Sequence, residues 1–264
     1  MVEIVFHQAS FFKRIIDSLK GLVEDITFVC TPDSMDLQAM DISHVSLIVI
    51  SLPSESFSSY RCSEKINLSF NVDTLIKVLK SSTPNDVLRI GTDKPKDDIE
   101  MQISSPNDDK TTRFRLKPVD IEEEQVSVPD HIYKAKLSMS SATFNQLVKN
   151  LSEVSDGVVV RCTEGSVSFS VADALVDATT TFNSGITHDN MDDEINVEVS
   201  ESCKVSYALR YLKSISGASG LTARVSLSFS PHFPLLVDYS LPEGGYVKFY
   251  LAPRVEEDQS DDEI

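Results

Sequence analysis

The sequence predicts an α+β protein of two similar domains, each an antiparallel sheet with two helices on one face. The first observation behind this is an internal repeat. Phe12, Ile15, Ile16, Leu19, Cys30, Thr31, Leu37 and Asp41 are matched by Phe144, Leu147, Val148, Leu151, Cys162, Thr163, Phe169 and Asp173, each pair 132 positions apart. A second block, Ile76-Lys77-Val78-Leu79-Lys80, returns 133 positions later as Leu209-Arg210-Tyr211-Leu212-Lys213. Repetition over half a chain means two copies of one folding unit. Next, segments of helical period interrupt a chain otherwise patterned with period two. Finally, connections such as Thr31-Pro32-Asp33-Ser34 and Thr163-Glu164-Gly165-Ser166 are too short for crossover helices, which leaves antiparallel pairing.

In chain order, 2–6 alternates as a strand, and 10–22 is a helix whose Phe12, Ile15, Ile16 and Leu19 make an i, i+3, i+4, i+7 stripe. Strands follow at 45–52 and 66–70, a helix at 72–81 and a strand at 99–103. Residues 118–134 have neither period and carry an acidic run with Pro129, so they read as an extended connector. The second copy has a helix at 141–153 with the stripe Phe144, Leu147, Val148 and Leu151, then strands at 158–162, 167–171 and 195–199. A helix at 205–215 and strands at 225–229 and 246–251 complete it. Residues 190–194 read as an exposed acidic loop without the glycine and closing glutamate of an EF-hand. The domains are therefore expected at 1–117 and 135–255, with a disordered acidic tail at 256–264 that holds six acids in nine residues.

With 264 residues and 41% hydrophobic content, the chain suits two domains of roughly 130 residues. It has no apolar run near the ~20 residues that cross a bilayer and no signal-peptide pattern at its start, so a soluble, intracellular protein is expected. Cys30, Cys62, Cys162 and Cys203 form no C-x-x-C pair, and two of them hold matching repeat positions, which points to core residues rather than a metal site. No metal and no cofactor is implied.

The formal charge of −17 argues against a polyanionic partner until its distribution is read. The four helical segments hold 8 of the 24 basic residues and 3 of the 41 acidic ones, a net +5 against −22 elsewhere. Opposite the apolar stripes lie Lys13, Arg14, Lys20, Lys77, Lys80, Lys149, Arg210 and Lys213. Four helices with one bias in an acidic chain describe a surface that attracts phosphates, and no aromatic or Asn/Gln cluster accompanies it to read bases.

The stretches L-Q-A-M-D-I-S-H-V-S-L at 37–47, Y-R-C at 60–62, A-L-R-Y-L at 208–212 and Y-L-A-P-R-V-E-E at 250–257 closely resemble the proliferating cell nuclear antigen family, the eukaryotic DNA sliding clamps. The resemblance spans essentially the whole chain. It implies a nuclear, non-enzymatic homotrimeric ring of the DNA clamp fold, with helices lining a hole that takes double-stranded DNA without sequence preference. Such a ring serves DNA polymerase as processivity factor and docks the clamp loader, ligase and nuclease clients through short helical peptides.

In that family the ring closes by edge strands pairing head to tail, here at 109–117 and 175–182. Lys110, Arg113, Phe114, Leu151, Val154 and Asp177 are the implied joint residues. The implied client pocket comprises Met40, His44, Val45, Leu47, Val126, Val128, Pro234, Tyr250, Leu251, Ala252 and Pro253. The chain departs from the family at Gln146 and Gly217, commonly basic, at Glu153, commonly His, and at Glu164, where many relatives carry a modifier-accepting lysine. Weaker DNA attraction is expected, and no isopeptide bond can form at a carboxylate. Rival readings are a subunit of a mixed checkpoint ring, an acidic histone-binding scaffold, and a hydrolase built on Asp41, Ser43 and His44. The last lacks a G-x-S-x-G turn, P-loop or metal-spaced cluster.

Overall fold

The computed structural model describes residues 1–94, 97–121, 131–184 and 194–254. The first half runs β1 (Val2–Phe6), α1 (Ala9–Leu19), β2 (Asp25–Cys30), β3 (Ser34–Met40), β4 (Ser46–Pro53), β5 (Ser59–Cys62), β6 (Ile66–Asn71), α2 (Val72–Leu79), β7 (Val87–Thr92), β8 (Ile99–Ser104) and β9 (Thr111–Leu116). The second repeats that order: β10 (Ala135–Ser140), α3 (Ser141–Ser152), β11 (Gly157–Thr163), β12 (Ser166–Ala172), β13 (Asp177–Asn183), β14 (Asn196–Val199), β15 (Cys203–Ala208), α4 (Leu209–Ser216), β16 (Arg224–Phe229), β17 (Leu235–Ser240) and β18 (Tyr246–Leu251). The repeat read from positions 132 apart thus extends to every strand and helix, but the second block is a correction: Cys30 pairs with Ile66 as its equivalent Cys162 pairs with Cys203, so Val72, the first residue of α2, and not Ile76, is the counterpart of Leu209.

Both apolar stripes are buried as expected. Helix α1 stops at Leu19 because Lys20 turns extended and Gly21 takes a φ of 77°, open to glycine at little cost. The Asn71 side chain caps α2 by accepting from the Thr74 amide at 3.1 Å, and Ser140 Oγ caps α3 from the Thr143 amide at the same distance. The fourth helix begins later than its periodicity predicts. Residues 205–208 belong to β15, where Val205 and Tyr207 point into the core and Ser206 does not. Seven further strands, β2, β3, β5, β7, β10, β15 and β17, complete the sheets.

The strands of each domain divide between two sheets. The first domain has a five-stranded sheet, β5-β1-β7-β8-β9, and the second a four-stranded sheet, β13-β12-β11-β15. The others form one nine-stranded sheet, β14-β10-β16-β17-β18-β4-β3-β2-β6, that crosses from domain to domain where β18 pairs antiparallel with β4. Substituting repeat equivalents makes this order transparent. Its β14-to-β18 half has the order of the five-stranded sheet, and its β4-to-β6 half that of the four-stranded sheet. The free sheets end in β9 and β13, which are the repeat equivalents of β18 and β4. Helix α1 packs on α2, α3 on α4, and α1 also touches α4 and the 3₁₀ turn Gly217–Gly220, so the four helices form one layer.

Candidate nucleic-acid interface and partner pocket

The helix layer presents the basic residues as the sequence places them. Arg14, Lys20, Lys77, Lys80, Lys149, Arg210 and Lys213 are exposed and Lys13 is half-buried. Among the described residues none of the eight forms an ion pair; the pairs found, such as Arg89 with Glu3 and Lys134 with Glu201, lie elsewhere. Unpaired cations keep their full attraction for an external phosphate. Gln146, at a position commonly basic in the resemblance, donates instead to the Asn150 side-chain oxygen at 2.7 Å, which leaves Lys149 as the cation of α3. Arg210 leans on its neighbour: its guanidinium carbon is 4.8 Å from the Tyr211 ring centroid, and Nη2 donates to the Tyr211 hydroxyl at 3.2 Å. It also lines a cavity of about 520 Å³ with Val45, Ala252 and Pro253, so this cation borders both the helix layer and the pocket side.

The expected pocket residues gather on the outer face of the nine-stranded sheet, at the seam between domains. Register places Met40 opposite Leu47, Leu47 opposite Tyr250, and Tyr250 opposite Leu236, a continuous apolar row over four strands. Leu47 is only 7% exposed yet lies outside the main core, as its place on the outer face requires. Val45 and Ala252 meet at the edge of the row, where the Ala252 amide donates to the Val45 carbonyl at 2.9 Å. Pro234 is held by the Tyr133 hydroxyl, which donates to its carbonyl at 3.1 Å. Burial raises the pKa of both Tyr133 and Tyr250, so both phenols stay protonated at neutral pH.

Leu251 is a correction. It is fully buried, because side chains alternate across a strand and Tyr250 takes the outward position. Leu236 is the residue sequence reasoning missed; its signal is that it alternates with Leu235 and Val237, which are buried in the core. Val126 and Val128 lie outside the described residues.

The turn carrying His44 and Val45 is built by one carboxylate. Asp41, 5% exposed, accepts backbone N–H groups from Val45 (2.8 Å) and Ser46 (2.5 Å) on Oδ1 and from Ser43 (3.0 Å) on Oδ2. The Asp41 amide donates to the Ser46 carbonyl at 2.9 Å, and its repeat partner Asp173 closes the β12–β13 turn likewise onto Val176. Asp41 therefore works on backbone amides. His44 Nδ1 lies 3.0 Å from the Met40 sulfur, and no Ser–His–Asp relay forms.

At the expected joint, Phe114 and Val154 are half-buried and partly packed on the core, while Lys110, Arg113 and Asp177 are exposed on β13 or on β9 and the loop before it. Leu151 is 4% exposed, so it completes the α3 stripe and leaves little surface for a joint. Cys30, Cys162 and Cys203 are buried and free, Cys62 is half-buried, and burial pushes the Cys30 thiol up to about 12.

The family model for the N-terminal domain of proliferating cell nuclear antigen matches residues 1–126, and that for its C-terminal domain matches 127–254. The proliferating cell nuclear antigen of Chaetomium thermophilum is 33% identical over 259 residues, covering 98% of this chain and 100% of that relative. Matched by both domain models and along its whole length by such a relative, with the same folding unit built twice around one seam, the chain belongs to the proliferating cell nuclear antigen family.

Proposed function

We propose that this chain is the subunit of a homotrimeric DNA sliding clamp that acts in the nucleus as polymerase processivity factor and docking platform. The observation that carries the reading is the pair of free edges. Inside the chain a five-strand sheet and a four-strand sheet are fused through β18 and β4, and the equivalent β9 and β13 are the matching unpaired edges. Two different edges that fit each other join copies head to tail, and such an assembly closes into a ring or grows without limit. Family membership supports closure at three.

In that ring the helix layer faces the hole. Lysines and arginines there hold duplex DNA through its phosphates, weakly, without base readout and with strong salt dependence. Topology retains the ring, and the acidic exterior turns DNA away elsewhere. The row Met40, Leu47, Tyr250 and Leu236, flanked by His44, Val45, Pro234, Ala252 and Pro253, receives the aliphatic and aromatic anchors of helical client peptides. Polymerase, clamp loader, ligase and nuclease clients share that site. The chain acts by binding and supplies no catalytic step.

Light scattering during size exclusion, over dilution from micromolar to nanomolar, tests the reading. A mass of three chains is expected. A monomer or dimer throughout overturns the homotrimer, and trimerisation only with other chains would make it one member of a mixed ring.

A further inference from the structure

The four cysteines of this chain are not equivalent. Cys162 and Cys203 stand directly opposite each other on the neighbouring antiparallel strands β11 and β15, and both are buried. The Cys162 thiol donates a hydrogen bond to the Cys203 sulfur, so the two side chains already touch. In the first domain the place of Cys203 is taken by Ile66, opposite Cys30, and no second thiol is offered across the strands. Cys62 lies on β5 in a different sheet, and its thiol donates to the Glu64 carbonyl at 3.0 Å. Register alone brings the second-domain pair within bonding range. Opposed residues on antiparallel strands have Cα atoms roughly 4.5 or 5.5 Å apart, and disulfides span roughly 4.4–6.8 Å.

We propose that Cys162 and Cys203 form a reversible redox site, oxidised to an intrachain disulfide by a small disulfide such as oxidised glutathione. The site does not depend on the ring or on the client pocket.

Access and hydrogen bonding divide the roles. Cys203 follows the exposed Glu201 and Ser202 and is 8% exposed, against 1% for Cys162. It also receives the hydrogen bond, which favours its thiolate over that of Cys162. Cys203 gives up its proton and attacks one sulfur of oxidised glutathione; the disulfide breaks, and one glutathione leaves and takes up a proton. Cys162 then loses its proton and attacks the Cys203 sulfur of the mixed disulfide, and the second glutathione departs and is protonated. Two protein thiols lose two electrons, and one oxidised glutathione gains them to become two reduced ones. Burial raises both thiols above their ordinary range, so the exchange is slow at neutral pH.

The bond closes the loop from 162 to 203 and fixes β15 to β11. Strand β15 ends the four-stranded sheet, and α4, with Arg210 and Tyr211, starts directly after it. The staple therefore holds the strand that feeds the helix layer, while β13 lies at the other end of the same sheet.

The test is to incubate the full chain with excess oxidised glutathione at about pH 8, where more thiolate forms, then alkylate it and map its peptides. A Cys162–Cys203 linked pair is expected, with two of the four thiols lost and both recovered on reduction. The oxidised chain should melt about 5 °C or more above the reduced one. Cys162→Ser, which cannot complete the exchange, should instead accumulate glutathione on Cys203, and Cys203→Ser should leave Cys162 unmodified. Four alkylated thiols in the treated wild-type chain, glutathione held on Cys203 beside a free Cys162, or a link from either residue to Cys62 would each overturn the site. The wild-type readout needs neither variant to fold. Light scattering before and after oxidation should give one and the same mass, so failure of the redox site and failure of the ring reading show separately.

Discussion

The Tyr211 hydroxyl, on α4 of the second domain, donates to the buried Asp41 carboxylate of the first at 3.3 Å. The same carboxylate holds three amides of the turn that carries His44 and Val45, so one side of the proposed client pocket is tied to a helix of the opposite domain. Charge-assisted hydrogen bonds of this kind are stronger than neutral ones.

Tyr211→Phe keeps the ring beside the Arg210 guanidinium and removes two bonds of the hydroxyl, the one it donates to Asp41 and the one it accepts from Arg210. We expect amide exchange at Ser43, Val45 and Ser46 to accelerate and a client-type helical peptide to bind about three- to tenfold more weakly, with the trimer intact. The basis is that a hydrogen bond to a charged group contributes roughly 1.5–3 kcal/mol, part of which the remaining amides retain. Unchanged exchange in the turn would show that Asp41 holds it without help.

Tyr250 and Leu47 stand opposite each other in the apolar row, and each covers the other. Truncating either to Ala should weaken peptide binding by about 1–3 kcal/mol in calorimetry, and the double variant should lose less than the sum. Leu236→Ala should weaken it as well. Equal affinity in all three would place the pocket elsewhere.

Lys77 and Lys80 are exposed on α2 and free of ion pairs among the described residues. Replacing either with Ala should make the dependence of log affinity for duplex DNA on log salt shallower, by about 0.9 for each phosphate no longer neutralised. Lys248, which sits 4.1 Å over the Tyr246 ring on the outer sheet, is the control and should leave the slope unchanged.

Asp238 is half-buried on β17, and burial raises its carboxyl above the ordinary 3.8, with Lys248, Ser240 and Lys136 drawing it partly back. The folded chain holds that proton more tightly than the unfolded chain. Folding therefore loses stability as pH rises through the raised value and regains it below 3.8. Asp238→Asn should raise the melting temperature at pH 7 by about 1–3 °C, with the gain shrinking towards pH 4 in scanning calorimetry. A gain independent of pH would assign it to packing.

Much of the architecture is legible in the chain because its signals are local. The stripes from Phe12 to Leu19 and from Phe144 to Leu151 place α1 and α3, and the cations opposite them follow, since a helix that buries one face must present the other. The start of α4 is misread because Val205, Tyr207, Leu209 and Leu212 satisfy a strand and a helix in succession, and period alone does not mark the junction. Leu251 is misplaced for a related reason: a resemblance names the segment, but alternation decides which of two neighbours faces the pocket.

The sequence by itself determined two copies of one α+β unit and the segregation of positive charge onto the helices, because periodicity and repetition are properties of neighbouring residues. Only the tertiary structure decided that β18 closes on β4 while β9 and β13 stay open, that Leu47 meets Tyr250, and that Tyr211 reaches Asp41. Those pairings join residues about 170 to 200 positions apart. Which edge meets which is set by the packing of whole sheets, and no local pattern records it.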